Sequence, residues 1–226
     1  MTSPQRRRYR ADLHIHTHDS SDSLADPERI IAVAQRQQLD LLAITDHNVL
    51  RTALALRDRF PDLVVAGEEI KTAEGEIIGL FLEQEIPRGL SPEQTIERIR
   101  AQGGLVIVPH PFDRLRGSRL HEAALRRVAP QLDAIEVLNA RVTFSGDNAR
   151  AHQFAREQGL AISAGSDAHG PNEVGTAFVE LDEPPAHEAS ALLAQLRRGR
   201  ATGSLSTPAV HLTSIVARWR KRLFSR

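Results

Sequence analysis

The 226-residue sequence predicts an α/β fold in which a mostly parallel sheet closes, or nearly closes, into a β/α barrel. Short apolar runs alternate with helical patterns, and right-handed crossovers between such strands produce a parallel sheet. About seven of these units follow one another, which favours a barrel over a small open sheet. Polar residues with metal-ligand chemistry fall at the ends of the predicted strands, where β/α barrels build their active sites.

The apolar runs predict eight strands, and the helical patterns between them are bounded by turn residues. The strands are expected at residues 11–17, 39–44, 63–66, 76–82, 105–108, 134–138, 160–164 and 176–181. Asp26 and Ser91 each precede a proline and are typical helix N-caps. Gly103 and Gly159 are typical residues just after a helix end. Further helices are expected at residues 50–59, 119–128 and 187–198.

The composition is that of an ordinary globular protein, with 41% hydrophobic and 26% charged residues. The number of lysine and arginine residues equals the number of aspartate and glutamate residues, so no overall electrostatic field favours nucleic acid as a partner. The chain has no cysteine, which excludes disulfides, a cysteine nucleophile and thiolate metal sites. Any metal must therefore be held by histidine and carboxylate. We expect a cytoplasmic protein, and no segment has the apolar length that a membrane span requires.

We expect three segments: a basic N-terminal tail at residues 1–10, the barrel domain at 11–209 and a basic amphipathic helix at 210–226. The N-terminal residues have no apolar run behind them, unlike a secretory signal. The last segment places Leu212, Ile215, Val216 and Trp219 at helical spacing. Such a helix lies on a membrane or an anionic partner, or it packs on the barrel with a solvated basic face. We favour packing.

The opening strand carries metal-competent side chains at every second position. Alternation would put Asp12, His14 and His16 on one face, and Leu13 and Ile15 on the other. Neutral imidazole is a common metal ligand, and a neighbouring carboxylate usually orients it. This strand therefore predicts two ligands, with Asp12 orienting one of their imidazoles.

Similar residues recur at the ends of later strands. The full set is His14, His16, Asp46, His47, Glu69, His110, Asp167 and His169. Nitrogen and oxygen ligands of this kind suit divalent cations such as Mn, Fe or Zn. One ion takes only about four to six ligands, so the set predicts at least two. Two ions roughly 3.5–4 Å apart clamp the attacking and leaving oxygens of a displacement at phosphorus.

Five of these segments form ordered motifs: D-L-H-I-H at 12–16, T-D-H at 45–47, G-E-E at 67–69, P-H-P at 109–111 and G-S-D-A-H at 165–169. Together they resemble the PHP (polymerase and histidinol phosphatase) family. The resemblance implies a distorted (β/α)7 barrel with a phosphoesterase metal site at the C-terminal ends of the strands. By motif position it assigns as ligands His14, His16, His47, Glu69, His110, Asp167 and His169.

The resemblance also implies one more ligand in the loop after His16. Asp22 is the match and Asp19 the runner-up. Glu69 is preferred to Glu68 because it takes the third position of the G-x-E pattern. His18 lies beyond the strand end and is assigned a supporting or substrate-facing role, which makes it a candidate catalytic residue beside Asp12.

Two positions depart from the family pattern. Many members carry a further histidine after the E-x-x-N segment, here 136–139, and some carry one in the strand after G-x-E, here 77–80. Neither imidazole is present, so we expect two ions and leave a third open. Arg141 follows the first of these positions. Its guanidinium is either a fork for two phosphate oxygens or an ordinary surface group.

The residues and the resemblance together predict a metal-dependent phosphoesterase in which a metal-bridged hydroxide attacks phosphorus. The expected substrate is a small phosphorylated metabolite, a nucleotide or a short oligonucleotide. One alternative is an amidohydrolase-like hydrolase, although no lysine stands at a strand end and Lys71 is the nearest. Another is a 3′–5′ exonuclease on single-stranded nucleic acid, which 4% aromatic content and zero net charge disfavour. A non-catalytic metal-binding module is the third. Long nucleic acid is not expected as a partner, and the oligomeric state stays open.

Overall fold

A computed structural model of the chain describes residues 7–207 and 209–224. Its strands and helices, in chain order, are β1 (Tyr9–Ile15), α1 (Pro27–Arg36), β2 (Leu41–His47), α2 (Arg51–Arg59), β3 (Val64–Thr72), β4 (Gly75–Leu80), α3 (Pro92–Ala101), β5 (Leu105–Val108), α4 (Glu122–Val128), β6 (Ala134–Asn139), α5 (Ser145–Gln158), β7 (Ala161–Gly165), β8 (Ala177–Leu181), α6 (Ala189–Leu196), β9 (Arg200–Gly203) and α7 (Val210–Phe224). Short 3₁₀ helices lie at Ala129–Gln131 and Pro171–Glu173.

The strands form one sheet in the order β7-β6-β5-β4-β3-β2-β1-β8-β9. Strands β1, β2 and β3 are parallel, and so are β5, β6 and β7. Strand β4 runs antiparallel between these two groups. The first seven strands therefore make a β/α barrel with one reversed strand, which accounts for its distortion.

The barrel closes because β1 divides one of its edges between two partners. Its first half pairs antiparallel with β8, where Tyr9 lies opposite Leu181. Its second half bonds to the residues after β7: the Asp167 amide donates to the His14 carbonyl at 2.8 Å, and the His16 amide donates to Ala168 at 2.9 Å. A Cβ at Gly165 would lie only 2.4 Å from the Cβ of His14, so glycine is required for this approach. The nearly closed barrel confirms the predicted fold class.

Two apolar layers build the barrel. The outer layer lies between the strands and the surrounding helices and includes Ile30 of α1 and Leu42 of β2. The inner cluster is made largely by the first residues of the strands, such as Leu41 and Leu105, and Leu192 of α6 joins it. Apolar side chains thus fill one end of the interior and leave the C-terminal ends of the parallel strands to polar residues.

The alternation predicted for β1 is wrong. A β-bulge lies between Asp12 and Ile15, and an extra residue in a strand reverses the alternation beyond it. Leu13 consequently packs in the inner cluster, whereas Ile15 packs in the outer layer. Asp12 precedes the bulge and does not share a face with His14.

The termini of the predicted segments also differ from the structure. Strand β1 begins at Tyr9, inside the predicted tail, and Arg7 and Arg8 form ion pairs with Asp40 and Asp182 at 2.6 and 2.7 Å. Residues 1–6 and 225–226 lie outside the described part of the chain. Strand β9 was not predicted, because its four residues are exposed or half-buried and contain no apolar run.

Helix α7 packs on the barrel, as expected, but through the opposite face. Ser214 and Ala217 are buried, whereas Leu212, Ile215 and Trp219 are exposed. In the described part of the chain, no helix has the length and apolar character needed to cross a bilayer.

Candidate metal centre

The ends of β1 and β3 bring two imidazoles and a carboxylate together. The Nε2 atoms of His14 and His16 lie 3.0 Å apart. Each lies 3.3 Å from Oε2 of Glu69. Along β3, Val65 belongs to the inner cluster and Ala66 to the outer layer, so alternation places Glu69 inside the barrel. Glu68 lies on the outer side, which agrees with the choice of Glu69 as the ligand.

Glu69 occupies the middle of the cluster. Its Oε1 lies 2.9 Å from Nε2 of His110, and its Oε2 lies 3.1 Å from Nδ1 of His47. All three side chains are at most 16% exposed. Because the two oxygens meet different imidazoles, this carboxylate has the arrangement of a bridge between two cations.

Two aspartates complete the cluster from the opposite side. Oδ1 of Asp167 lies 3.3 Å from Nε2 of His16. Oδ1 of Asp22 lies 3.3 Å from Nε2 of His169 and 3.6 Å from Nε2 of His47. The structure thus brings together all eight residues expected to be ligands: His14, His16, Asp22, His47, Glu69, His110, Asp167 and His169.

Asp19, the runner-up to Asp22, lies elsewhere. Its carboxylate accepts two hydrogen bonds from Arg51, at 2.6 and 2.8 Å, and one from Thr52 at 2.6 Å. Its oxygens are therefore engaged on α2 and not at the cluster.

The spacing of these atoms suits a divalent cation. Four overlapping triads have all their ligand atoms within 4.8 Å of one another: His14, His16 and Glu69; His14, His110 and Asp167; His16, His47 and His169; His47, Glu69 and Glu76. Around a tetrahedral cation with metal–nitrogen distances of about 2.1 Å, neighbouring donors lie roughly 3.4 Å apart. The separations of 3.0–3.6 Å around His14 and His16 match that geometry.

Hydrogen bonds on the far side of the rings direct two lone pairs at one point. His14 Nδ1 donates to Oε1 of Glu136 at 3.1 Å. Ser20 gives its only hydroxyl proton to Asp46, so it accepts from Nδ1 of His16. With both Nδ1 atoms engaged in this way, the two Nε2 atoms, 3.0 Å apart, are the ring nitrogens left to bind a cation. A cation there would be bound by the lone pairs of both neutral imidazoles.

Buried atoms without a hydrogen-bond partner support the same fit. Oδ1 of Asp22, Oδ1 of Asp167 and Oε2 of Glu76 are buried and accept no hydrogen bond. Each such atom costs about 1–3 kcal/mol or more when it is charged. Three carboxylate oxygens that accept no hydrogen bond, beside five imidazoles, are the expected lining of a site for cations.

The charges in the cluster perturb one another strongly. Burial alone would raise the pKa of Glu69, but the imidazoles of His47 and His14 hold it well below its usual range. Burial would lower the pKa of His47, but Glu69 and Asp22 outweigh it and raise that pKa to about 10. Burial and the neighbouring His16 lower the pKa of His169 to about 4. Without metal, the cluster is held together by protons that a cation would displace.

Two of the candidate ligands adopt a strained backbone conformation at the ends of their strands. His110 has φ 29° and Asp167 has φ 52°, a region that residues other than glycine seldom enter. A hydrogen bond from the backbone amide holds each of them in place. The His110 amide donates to Oε2 of Glu136 at 2.7 Å, and the Asp167 amide donates to the carbonyl of His14. Strain of this kind is concentrated at functional sites.

Sequence reasoning missed three residues of the site. Glu76 lies 3.9 Å from Nε2 of His110, and its position is explained by the reversed direction of β4, whose first residues lie at the rim. Its alternation with Ile78 and Leu80 was a usable signal. Glu136 orients His14, and Arg116 donates to Oδ2 of Asp167 at 2.6 Å. No local pattern marks the role of Arg116, because it comes from a loop.

The three residues expected to be catalytic have other contacts, and these expectations need correction. Asp12 contacts no imidazole, because the bulge turns it away; it accepts the amides of Ser166 and Gly175, both at 2.9 Å. His18 is 53% exposed, and its nearest carboxylate is Asp19 at 3.9 Å, because it lies beyond the end of the strand. It is not part of the cluster.

Arg141 is neither an open phosphate fork nor a surface group. It is buried, and its Nη2 donates to the carbonyl of Val210 and to Oγ of Ser214 in α7, both at 2.8 Å. Its Nη1 lies 3.3 Å from Glu173. The guanidinium therefore forms part of the cavity wall while it holds α7 to the barrel.

Residues 12–118 match the family model of the PHP domain, and residues 146–201 match that of the PHP-associated region. The chain belongs to the PHP family. The uncharacterized protein MJ1587 of Methanocaldococcus jannaschii is 44% identical in an alignment 147 positions long that covers 58% of this chain and 82% of that one. MJ0417 of the same organism, also uncharacterized, is 36% identical over 177 residues, 77% of this chain and 71% of that one.

Solved structures share the PHP fold at low sequence identity. A two-domain protein from Bacteroides vulgatus, containing a predicted PHP-like metal-dependent phosphoesterase, aligns with a TM-score of 0.67 at 18% identity, over 93% of this chain and 70% of that one. The lesion-specific endonuclease EndoQ of Pyrococcus furiosus aligns with a TM-score of 0.56 at 15% identity, over 89% and 60%. An amidohydrolase from Chromobacterium violaceum with bound sulfate aligns at 0.59 and 18%, over 85% and 97%. These likenesses concern the fold.

A cavity of about 560 Å³ opens above the metal centre of this PHP barrel. Asp22, His47, Glu76 and His169 form part of its floor, and its cationic lining residues are Lys71, Arg116, Arg141 and Arg218. The lining residues within the described ranges include no Phe, Tyr or Trp.

Proposed function

We propose that this PHP protein is a metal-dependent hydrolase of phosphate esters that acts on small phosphorylated substrates. One observation carries the proposal: Oε2 of Glu69 meets three imidazoles and its Oε1 meets the imidazole of His110, directly below a cavity that cationic side chains help to line. The first part of that observation suits a pair of cations, and the second suits an anionic substrate.

The proposed ligands are the eight residues brought together at the strand ends, with Glu76 as a ninth. Glu69 would serve two cations, with His14, His16 and Asp167 as the further ligands of one and His110 and Glu76 as those of the other. Asp22, His47 and His169 make a third group beside His16, which leaves room for a third cation. Divalent cations held there supply Lewis acidity and lower the pKa of water, which is the chemistry that phosphoester hydrolysis needs at neutral pH.

The chain's own groups around the cavity bind and orient the substrate. Arg116 lines the cavity. Its Nη2 donates a hydrogen bond to Asp167, and its Nε lies 3.6 Å from Oδ2 of Asp113. A guanidinium has five donors, so others remain for phosphate oxygens. Arg116 therefore takes the role that the sequence suggested for Arg141.

The size and lining of the cavity favour a small substrate over a nucleic-acid strand. Single-stranded nucleic acid is usually held by aromatic side chains on which its bases stack, and the described lining has none. The four cationic side chains favour a phosphate over the neutral amide or lactam of an amidohydrolase substrate.

A release assay tests the proposal. Protein loaded in turn with Mn, Fe or Zn is offered phosphate monoesters, phosphate diesters, amides and lactams, and we expect phosphate release that chelation abolishes. Asp167→Asn should lose it, whereas Asp182→Asn, a surface carboxylate 64% exposed, should retain it. Hydrolysis of amides alone, or equal phosphate release by Asp167→Asn, would overturn the proposal.

A further inference from the structure

Helix α7 binds the barrel with one side only. Ser214 and Ala217 are 6% and 2% exposed, and Lys221 donates to the carbonyls of His18 and Ser20. Arg141 donates to Ser214 from below. This polar and small-residue side holds the helix over the cavity mouth, so the helix does not need its large apolar residues for docking.

Most of the large apolar residues of α7 face away from the barrel, and Ile215, at one edge of the helix, also lines the cavity. Nine large apolar side chains are exposed within the described ranges, and five of them belong to this one helix. They are Leu212, Ile215, Val216, Trp219 and Leu223, between 53% and 68% exposed. Trp219 follows the buried Ala217 by two positions, and residues two apart on a helix point in nearly opposite directions, about 200°. The apolar side is therefore directed at solvent.

The charges on and around this face have one sign. Arg218 and Arg220 are exposed, and at helical spacing they fall on opposite edges of the apolar side; Arg218, on the edge next to the cavity, also lies 3.8 Å from Oδ2 of Asp22. The sequence has no aspartate or glutamate after Glu188, although the whole chain has zero net charge. An apolar face with an exposed tryptophan and basic edges is typical of a helix that lies in the interface of an anionic membrane.

We propose that α7 is an in-plane anchor that binds the surface of an anionic lipid bilayer. A bilayer needs only the outer half of a helix, which is the half that α7 offers, whereas a protein groove that encloses a helix would have to detach it from Ser214 and Arg141. A second copy of α7 pairing through the same face would bring arginines together without an acidic partner on that helix, at a cost from like charges. Phosphate headgroups supply the missing negative charge.

Trp219 reports the binding directly, because it is the single tryptophan of the chain. The full-length protein is mixed with vesicles of phosphatidylcholine alone, or of phosphatidylcholine with phosphatidylglycerol. We expect Trp219 emission to shift to shorter wavelength, and the protein to float with the vesicles, only when phosphatidylglycerol is present. High salt should weaken both effects because it screens the arginines.

Two variants with matched controls test the face and its charge. The double variant Leu212→Ser and Leu223→Ser should lower the vesicle-bound fraction by at least about tenfold, since affinity scales with the apolar area buried. Leu24→Ser, at a leucine 44% exposed outside α7, should bind like the unaltered protein. Arg220→Glu should bind less, whereas Arg156→Glu on α5 should not. The altered side chains are exposed, so circular dichroism and thermal unfolding should stay unchanged.

Three results would overturn the proposal. They are no emission shift with anionic vesicles, equal binding to neutral vesicles, and unchanged binding by the double variant. A dimer that the double variant dissociates, with no binding to vesicles, would assign the face to a second copy of the chain.

Discussion

Replacing Glu136 by glutamine would test whether the orientation of His14 determines metal binding. Oε2 of Glu136 accepts from the amide of His110 at 2.7 Å and from Nδ2 of Asn139 at 3.0 Å. Because the amide of His110 and Nδ2 of Asn139 both donate to this position, the oxygen of the glutamine side chain must occupy it. The nitrogen of that side chain must then face Nδ1 of His14. The imidazole then has to accept at Nδ1 and carry its proton on Nε2.

A protonated Nε2 cannot bind a cation, although no ligand has been replaced. Loss of an orienting partner typically costs 10–100-fold in metal affinity, or about 1.4–2.8 kcal/mol. We expect a loss of that size for Glu136→Gln, measured as the dissociation constant of Mn or Zn by competition with a chelator. The bonds to His110 and Asn139 are retained, so the far-UV circular dichroism spectrum of the variant should be unchanged.

The double variant Glu136→Gln with His14→Ala separates this cause from general damage. Since both changes remove the same ligand, the double variant should bind metal no more weakly than His14→Ala alone. Asp133→Asn is the matched control, because Asp133 also lies next to β6 but accepts from Val106 and Arg100 at the other end of the strand. Unaltered metal affinity in Glu136→Gln would refute the reasoning.

Three further predictions concern closure, protons and α7. Gly165→Ala would place a Cβ 2.4 Å from that of His14, so we expect the unfolding free energy to fall by about 1–3 kcal/mol and metal binding to weaken. The control Gly146→Ala, which has open space around the new Cβ, should keep both its stability and its metal affinity. Equal unfolding midpoints for the two variants would contradict the prediction. Because Glu69 and Asp22 raise the pKa of His47 to about 10, metal-free protein at neutral pH carries a proton there that a ligand imidazole must release. Affinity should therefore rise with pH, and calorimetric heats should depend on the buffer; buffer-independent heats would argue against it. Arg141→Ala removes two hydrogen bonds to α7, so its amides should exchange hydrogen faster while those of α5 do not, and equal protection would show that other contacts hold the helix.

Seven of the eight candidate ligands could be predicted from the sequence because each stands at or just beyond the end of an apolar run. Parallel strands place their C-terminal ends on one rim, so local position predicts spatial proximity for His14, His47 and Asp167. Asp22 was chosen through family resemblance, and the structure places it 3.3 Å from His169. The barrel fold was predicted from the alternation of strands and helices along the chain.

Local patterns failed where distant residues act on a segment. The bulge in β1 depends on its register with β2, so Asp12 could not be assigned to a face from the sequence. Glu136 is 122 positions from His14, and Arg116 is 51 from Asp167. Hydrophobic periodicity within a segment does not predict contacts between residues so far apart in the sequence.

By itself the sequence determined the class of fold, the set of metal-competent side chains and the amphipathic character of residues 210–224. These properties depend only on residue types and on their spacing within one segment, and both can be read directly from the sequence. The tertiary structure decided which oxygen faces which imidazole, which arginine keeps donors available to the cavity, and that α7 turns most of its apolar side outward. Those outcomes depend on competition between contacts from separate segments, and only the folded chain resolves that competition.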